Sequence, residues 1–469
     1  MALTLAERVA AGRKARQLVK RADQARIGRI DRDPIPLLKR SSVGRVGRLI
    51  PLRYGRMLES PLAFFRGSAG LQAHDLADTP NSGFYFQICG DCHLSNFGGF
   101  ATPERNLLFD LNDFDETHPG PWEWDLKRLI ASFVVAGRYL HHGEGVAEEA
   151  AFRAAQSYQQ NMAQYATMGA LEIWYDKITF ERLLEMADTP KIRRILKNGI
   201  CKAMARTHDH LLPQLGERID GRWIIRDRPP ALFHIYGNAT LFDETDDWIK
   251  LGDWQALVKS MYREYQGNLD ANRRQLLDQF SMQDLAFKVV GVGSVGTRCL
   301  MLLLVDARDK PLFLQIKEAK QSVLEPYVSV KATYKHQGRR VVEGQRLMQA
   351  ASDQFVAWST GPSGRHFYFR QLRDMKLSPE VELYDNDLLC AYAQLCGRVL
   401  ARAHARSGGM AVEIASYLGS NDSVATALVK YARAYANQVD KDFDSFSKAC
   451  RSGKLQARTE VDFARDFSV

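Results

Sequence analysis

The chain has 469 residues, of which 45% are hydrophobic and 25% are charged. This composition is typical of a globular protein of two or three domains and excludes a disordered chain. No apolar run reaches the roughly 18 residues that cross a bilayer, and Arg8 interrupts the N-terminus too early for a secretory signal. With seven cysteines and no disulfide pattern, the sequence predicts a cytoplasmic protein without a transmembrane segment.

The net charge of +9 is concentrated at one end of the chain. Residues 1–56 carry +11, whereas the rest of the chain carries −2. Such a basic arm could bind nucleic acid, an acidic partner or an anionic membrane surface, or it could be a helix over residues 5–30 with a solvated basic face. Because the basic pattern does not continue into the body, the sequence disfavours nucleic acid as a partner.

The predicted elements give an α+β protein with a helical body first, a β-rich unit second and helices last. Their boundaries suggest four segments: the basic arm (1–56), a helical body (57–280), a β unit (281–378) and C-terminal helices (379–469). In chain order we predict a helix over 57–80, strands at 84–89 and 106–112, helices at 125–140, 147–168 and 191–215, strands at 286–292, 298–306 and 312–318, a helix at 330–350, a strand at 366–372, and helices at 382–406 and 422–449.

The densest polar cluster, Cys89-Gly-Asp-Cys-His-Leu-Ser-Asn96, follows the first predicted strand. Phosphoryl transfer needs an aspartate that orients the acceptor hydroxyl, and oxygen ligands for the Mg²⁺ that bridges the phosphates. Asp91 suits the first role. Asn96, together with Asp113 after the second predicted strand, suits the second. Asp125, at the start of the next helix, can brace the loop through backbone N–H groups.

A glycine cluster lies between two predicted strands of the β unit and contains Gly291, Gly293, Ser294 and Gly296. A strand follows this loop where a dinucleotide-binding motif needs a helix, and the Lys-Ser/Thr pair of a Walker motif is missing. The next strand ends in Lys317. A glycine loop between strands, followed by such a lysine, is typical of a kinase nucleotide site. Glu343, on the next predicted helix, is the best candidate to hold this lysine.

Several segments resemble a bacterial family, domain of unknown function 2252, over nearly the whole chain. They are Arg56-Met57, Ser60 to Gly67, Cys89 to Gly98, Asn112 to Arg128, Gly291 to Arg298 and Gly397 to Ser407. The pattern Asp91-x-His93-x-x-Asn96 is also similar to the catalytic loop of aminoglycoside-phosphotransferase-like kinases. This second resemblance implies a catalytic loop with Asp91 and His93, a metal-binding Asp113 and a loop-bracing Asp125. Cys89 replaces the first histidine of that motif.

The order of the motifs differs from that of those kinases. There the glycine loop and lysine precede the catalytic loop, whereas here they follow it by about two hundred residues. Circular permutation permits this order if the pieces meet in space. The resemblance therefore implies a two-lobed, circularly permuted protein-kinase-like fold, with a large helical lobe and a small antiparallel β lobe. The run that contains Arg370, Gln371 and Leu372 would be the hinge that contacts adenine through its backbone.

These predictions lead to one main hypothesis. The protein is expected to be an ATP- and Mg²⁺-dependent phosphotransferase whose partners are a nucleotide and a small hydroxyl-bearing molecule. Two alternatives stay open: a catalytically inactive regulator that binds a nucleotide, and an adaptor that acts through the basic arm. The sequence does not indicate an oligomeric state.

Overall fold

The structure is a computed structural model that describes residues 3–234, 254–372 and 375–465. It is a mixed α+β protein with several small antiparallel sheets and one six-stranded antiparallel sheet, which confirms the predicted class. The predicted helical body (57–280) includes residues 235–253, which lie outside the described residues.

The N-terminal part of the chain is helical. It forms α1 (Leu5–Leu18), α2 (Pro34–Ser42), α3 (Ile50–Leu58), α4 (Pro61–Gly67) and α5 (Ala69–Leu76). The helix predicted over 57–80 is divided, because Ser60 starts a new helix: its hydroxyl accepts a hydrogen bond from the Ala63 amide at 3.0 Å, with Pro61 in the first turn. The helix predicted over 5–30 ends at Leu18.

Basic residues of this N-terminal part pair with acids of the body. Arg32 lies between Asp75 and Asp442, and its guanidinium nitrogens are 2.5 Å and 2.9 Å from their carboxylates. Arg8 pairs with Glu413 at 3.1 Å. Residues of the basic segment therefore hold it against the body of the protein, and part of its charge is neutralised there.

Two nested hairpins follow the N-terminal helices. They consist of β1 (Tyr85–Ile88), β2 (Phe97–Ala101), β3 (Leu107–Leu111) and β4 (His118–Pro121). β1 pairs with β4, and β2 pairs with β3 inside that pair. The nesting places residues 89–96 and 112–117 beside each other, although neither β2 nor β4 is predicted from the sequence. This juxtaposition brings the two acidic motifs together.

Helices and a small hairpin form the middle of the chain. They are α6 (Trp122–Tyr139), α7 (Glu144–Tyr165), α8 (Ala170–Tyr175), α9 (Phe180–Glu185), α10 (Pro190–Met204), α11 (His208–Leu215), β5 (Gly216–Ile219), β6 (Arg222–Ile225), β7 (Leu232–Phe233), α12 (Trp254–Gly267) and α13 (Ala271–Leu277).

The remaining elements build the large sheet and the C-terminal helices. They are β8 (Ser281–Lys288), β9 (Cys299–Val305), β10 (Pro311–Glu318), α14 (Gln337–Met348), β11 (Ala357–Thr360), β12 (His366–Gln371), α15 (Asn386–Gly408), α16 (Ala411–Leu418), α17 (Ser423–Arg451) and α18 (Glu460–Arg465). The strand order is β11-β12-β10-β9-β8-β7. The first strand predicted in this unit ends four residues earlier than expected, so residues 289–298 form one connecting loop.

The largest hydrophobic core lies among α6, α7, α15 and α17 and extends under the nested hairpins. Trp122 at the start of α6 stacks on Tyr158 of α7 with ring centroids 5.5 Å apart. A second core lies between the large sheet and α12 and α13. Within the described ranges, no helix combines the length and the apolar character needed to span a bilayer.

A buried ion pair joins the hairpins to the C-terminal helices. Arg402 of α15 donates to both carboxylate oxygens of Asp110 on β3, at 2.6 Å and 2.8 Å, and to the carbonyl oxygen of Met348 at 2.8 Å. Both partners are 1% exposed. Because Asp110 immediately precedes the acidic segment 112–117, this pair fixes the position of that segment.

Removal of this pair should be strongly destabilising. Arg402→Met leaves the Asp110 carboxylate buried without its cation, and we expect the free energy of unfolding to fall by about 3–5 kcal/mol. The matched control is Arg433→Met, which breaks the surface pair with Glu148 and should cost less than about 1 kcal/mol. Urea denaturation followed by tryptophan fluorescence measures both, and equal losses in the two variants would contradict the prediction.

Candidate active site

The loop after β1 is fixed by Asp125, which lies in the first turn of α6. Its carboxylate oxygens accept hydrogen bonds from the backbone amides of Cys89 at 2.7 Å and Gly90 at 2.8 Å. Gly90 has φ +86°, and a Cβ there would lie 2.3 Å from the carbonyl oxygen of Glu116, so the turn requires glycine. The Cys89 thiol donates to the carbonyl oxygen of Asp113 at 3.3 Å. Cys89 therefore links the two acidic segments.

A buried histidine of α15 supports Asp125 in turn. The Nε2 atom of His404 lies 3.1 Å from an Asp125 carboxylate oxygen, and its Nδ1 atom lies 2.9 Å from the Tyr158 hydroxyl. Sequence reasoning assigned no role to His404. The one feature of the sequence that could have indicated its importance is its position in segment 397–407, which is among the segments that resemble the family.

Asp91 has one carboxylate oxygen that accepts a hydrogen bond, whereas its other oxygen accepts none from the described residues. Arg128 Nε donates to Oδ1 at 2.8 Å, while its other nitrogens donate to Gln72 and to the Phe65 carbonyl oxygen. The Asp91 side chain is 21% exposed. Burial raises the pKa of Asp91, although Arg128 and Arg66 oppose this shift. A carboxylate that is oriented on one side and has a raised pKa is suited to accept a proton.

The other two residues of the Asp-x-His-x-x-Asn pattern shape this loop. The Asn96 side-chain nitrogen donates to the Asp91 carbonyl oxygen at 2.6 Å, and the Asn96 carbonyl oxygen accepts from the Asn112 amide at 2.8 Å. His93 Nδ1 accepts from the Ser95 amide at 3.2 Å, and its Nε2 lies 3.8 Å from Asp91 Oδ2. Burial holds the pKa of His93 well below its usual value, so its ring is neutral. In this structure His93 therefore supports the turn of the loop at Ser95.

The acidic segment after β3 meets the large sheet at Lys317. The amine of Lys317, at the end of β10, pairs closely with Asp115 and lies 3.6 Å from Asp113. Asp115 also accepts hydrogen bonds from the hydroxyls of Tyr368 at 2.7 Å and Ser294 at 3.2 Å. Although burial opposes the shift, Asp113 and Asp115 raise the pKa of Lys317, so the amine is charged. Residues about two hundred positions apart in the chain thus form one polar cluster.

The predicted partner of Lys317 needs correction. Glu343 lies on α14 and interacts with two arginines of the same helix, Arg346 at 3.6 Å and Arg339 at 4.0 Å. The acid that holds Lys317 is Asp115 from the earlier half of the chain. The sequence does not show that the hairpin reaches β10, and Glu343 was chosen because it lies on the helix that follows the lysine.

The two acids should differ in their effects on stability. Lys317 is 3% exposed, so Asp115→Asn removes a partner of a buried cation and should lower the free energy of unfolding by about 3–5 kcal/mol. Glu343→Gln, the matched control, should lower it by less than about 1 kcal/mol because Glu343 makes only half-exposed pairs. Urea denaturation distinguishes the two variants. A larger loss in Glu343→Gln would restore the original assignment.

The glycine loop between β8 and β9 lies over Asp115. Gly291 and Gly296 have φ +61° and +86°, conformations that favour glycine. The backbone of the loop is held from the N-terminal helices: Arg56 donates to the Gly291 carbonyl oxygen and Arg45 to the Val295 carbonyl oxygen, each at 2.6 Å. Gly293 lies close to the carbonyl oxygen of Arg66, where a Cβ would be 3.3 Å away.

The predicted hinge residues line the cleft, but their backbone is already used. The Gln371 amide donates to the Asp353 carboxylate and the Leu372 amide to the Phe313 carbonyl oxygen. The Arg370 side chain donates to Gln315 and to the Asn112 carbonyl oxygen. These two amides therefore do not serve as donors for adenine in this conformation, because the sheet and Asp353 occupy them.

Two adjoining cavities surround this cluster. The larger is a cleft of about 620 Å³ between the large sheet and the nested hairpins, and its lining includes Lys317, Arg370, Gln371 and Leu372. The smaller, of about 140 Å³, is lined by residues that include Asp91, His93 and Asn96. Three residues line both cavities: Asp113, Gly291 and Ser294. The arrangement offers a nucleotide-sized cleft and a small second site that meet at Asp113.

The donor atoms present fit Mg²⁺ bound together with phosphates. The Asp113 side chain is 34% exposed and accepts a hydrogen bond from the Asp115 amide at 3.2 Å, which leaves lone pairs for a cation. Asn96 lines the smaller cavity together with Asp113, and its amide oxygen is a second possible ligand for the cation. No group of three or more His, Cys, Asp or Glu side chains within the described ranges could hold a metal ion. Mg²⁺, however, is usually held by one or two carboxylates plus phosphate oxygens.

The chain belongs to a bacterial family described as "Uncharacterized protein conserved in bacteria (DUF2252)", whose model matches residues 45–449. No curated protein and no solved structure matched the chain in the comparisons. The matched range contains both acidic segments, the glycine loop, Lys317 and the supporting His404.

Proposed function

We propose that this protein is an ATP- and Mg²⁺-dependent phosphotransferase that acts on a small hydroxyl-bearing molecule. One observation carries the proposal: Asp91, Asp113, the glycine loop and Lys317 converge on two adjoining cavities, although they come from distant parts of the chain. The same convergence supports a two-lobed, circularly permuted kinase-like fold, in which the catalytic segment precedes the nucleotide-binding sheet in the chain.

In this proposal, the nucleotide lies in the larger cleft with its phosphates toward Lys317 and the glycine loop. The charged amine of Lys317 attracts the phosphates, and Asp115 keeps it in place. The loop backbone at Gly291 and Ser294 covers the junction of the two cavities, where the transferred phosphate would lie. Such groups act by positioning and by charge stabilisation, the main sources of catalysis in phosphoryl transfer.

The acceptor hydroxyl lies in the smaller cavity next to Asp91. Arg128 binds one oxygen of Asp91 and so aims the other toward the acceptor. As the acceptor oxygen bonds to the terminal phosphorus, the bond from that phosphorus to the bridging oxygen breaks and ADP leaves. Asp91 takes the hydroxyl proton. When bound, Mg²⁺ would neutralise phosphate charge, and Asp113 and Asn96 are the residues that would hold it.

The direct test uses the full chain and ATP. We expect saturating ATP with Mg²⁺ to raise the melting temperature by about 3 °C, the shift that ligand at a hundred times its dissociation constant would give a chain of this length. ATP without Mg²⁺ should give a smaller shift. ADP formation with pools of small hydroxyl compounds then measures turnover.

The outcomes separate the candidate functions. ADP formed in proportion to a phosphorylated product would establish the transferase. A Mg²⁺-dependent shift without turnover for any compound would favour the nucleotide-binding regulator. No shift at millimolar ATP would refute the proposal.

A further inference from the structure

The smaller cavity has an unusual set of cations. Arg45, Arg53, Arg66 and Lys320 line it together with Asp91 and Asp113, and none of these four cations lines the larger cleft. They therefore share a cavity with Asp91, whereas Lys317 lines the larger cleft.

None of these four cations forms an ion pair with a carboxylate in the described part of the chain. Arg45 and Lys320 donate to backbone carbonyl oxygens. Arg53 donates to Ser41, Ser42 and the Gly67 carbonyl oxygen. Arg66 has no hydrogen bond or ion pair among the described residues, and its Nε atom is fully buried.

Most acids around the same cavity are compensated by other groups, while Asp113 is partly exposed there and lies 3.6 Å from Lys317. Asp91 is paired with Arg128 and Asp115 with Lys317, while Glu318 is paired with Arg298 and Arg365. Burial raises the pKa of Glu116 to about 7, so this carboxyl is about half protonated at neutral pH. The cavity therefore carries an excess of positive charge.

Arg53 is buried and the other three cations are partly buried, and cations removed from water without a counter-charge are costly. Burial lowers the pKa of Arg66, lowers that of Arg53 to about 9 and lowers that of Lys320 to about 8. The N-terminus of α5 adds to the same potential, since Ala69 and Gly70 line the cavity and no side chain caps the helix. A bound anion would offset these costs, as in other sites built from arginines and a helix N-terminus.

We propose that the smaller cavity binds an anionic group of the phosphoryl acceptor, so that the substrate is a small hydroxyl compound that also carries a phosphate or a carboxylate. The inference rests on the proposed function, because Asp91 marks where the hydroxyl lies. The volume of about 140 Å³ accommodates on the order of ten water-sized groups. A cavity of this size suits a small acceptor.

The first experiment measures binding of inorganic phosphate to the full chain by calorimetry, with and without Mg²⁺ and a non-hydrolysable ATP analogue. We expect phosphate to bind in the presence of the analogue, and Arg66→Gln to weaken this binding by about tenfold or more. Arg66→Gln should not lower the melting temperature, since Arg66 makes no bond that the substitution would break. Arg13→Gln, an exposed arginine of α1, is the matched control and should bind phosphate like the wild type.

Competition between phosphate and the ATP analogue shows whether the cations bind an anionic group of the acceptor or the phosphate that is transferred. Phosphate that binds beside the analogue supports an acceptor site, whereas phosphate that displaces the analogue would assign these cations to the transferred phosphate and overturn the inference. Equal phosphate binding by Arg66→Gln and the wild type, or binding by neither, would also overturn it.

Turnover with paired compounds completes the test. Glycerol 3-phosphate and ribose 5-phosphate should support ADP formation at least tenfold better than glycerol and ribose. Preference for the neutral members would refute the inference while leaving the phosphotransferase intact. Phosphate binding that depends on Arg66, without ADP formation from any compound, would keep the anion site and refute the proposed function.

Discussion

Asp91→Asn is expected to lower phosphoryl transfer by about 10²–10⁴-fold, the usual contribution of a general base. The amide cannot accept the proton of the acceptor hydroxyl, yet it has nearly the same shape. Arg128 still has an oxygen to bind, and the backbone of the loop is fixed independently by Asp125. ADP formation under saturating ATP measures the loss, and the ATP-induced thermal shift should be preserved.

Two comparisons keep this result interpretable. Asp188→Asn changes an exposed aspartate of a surface loop and should retain full activity. A circular dichroism spectrum identical to that of the wild type shows that Asp91→Asn is folded. If the folded Asp91→Asn variant turned over at the wild-type rate, Asp91 would not be the catalytic residue.

Asp113→Ala is expected to abolish the Mg²⁺-dependent part of ATP binding and to lower turnover by about 10²-fold or more. Asp113 is the residue at the junction of both cavities that carries a carboxylate for the metal, and it is partly exposed there. Lys317 keeps its close pair with Asp115, so the lysine stays ordered. The effect is measured as the ATP-induced thermal shift of the wild type and of Asp113→Ala, with and without Mg²⁺.

The matched comparison for this variant is Asn96→Ala, which removes the second predicted oxygen donor. We expect it to weaken the Mg²⁺ dependence less, because an uncharged amide attracts the ion less strongly than a carboxylate does. The metal assignment fails if Asp113→Ala shows the same Mg²⁺-dependent shift as the wild type.

The loop after β1 and the strand β3 are held in place by residues that are far away in the sequence. Asp125 receives support from His404, and β3 is held by Arg402. Both come from α15, near the end of the chain. Substitutions in α15 should therefore affect the site without touching a substrate.

Much of the site can be predicted from sequence because short-range patterns carry it. Short apolar runs locate β1, β3 and β10, and a polar cluster directly after a strand indicates where functional side chains lie. The spacing Asp91, Asn96 and Asp113 is such a pattern, and so is the glycine loop with Lys317. These residues line the two cavities.

Partners that come from elsewhere in the chain were not predictable from local patterns. Glu343 was expected to hold Lys317 because of its place on the following helix, but Asp115 does so from about two hundred residues earlier. Arg128 lies three residues after Asp125 on the same helix. Its hydrogen bond to Asp91 depends on how α6 packs against the loop, which the sequence does not indicate. The hinge amides are occupied by Asp353 and Phe313, which no local pattern predicts.

The sequence by itself determined the α+β class, the longest helices, about half of the strands, and residue types that are suited to bind a nucleotide and a metal ion. Only the tertiary structure decided which acid holds Lys317, that the basic N-terminal segment packs against the body, and that four cations without carboxylate partners surround one cavity. The reason is physical: helix and strand formation depend on residues a few positions apart, whereas ion pairs and cavities depend on side chains that only packing brings together.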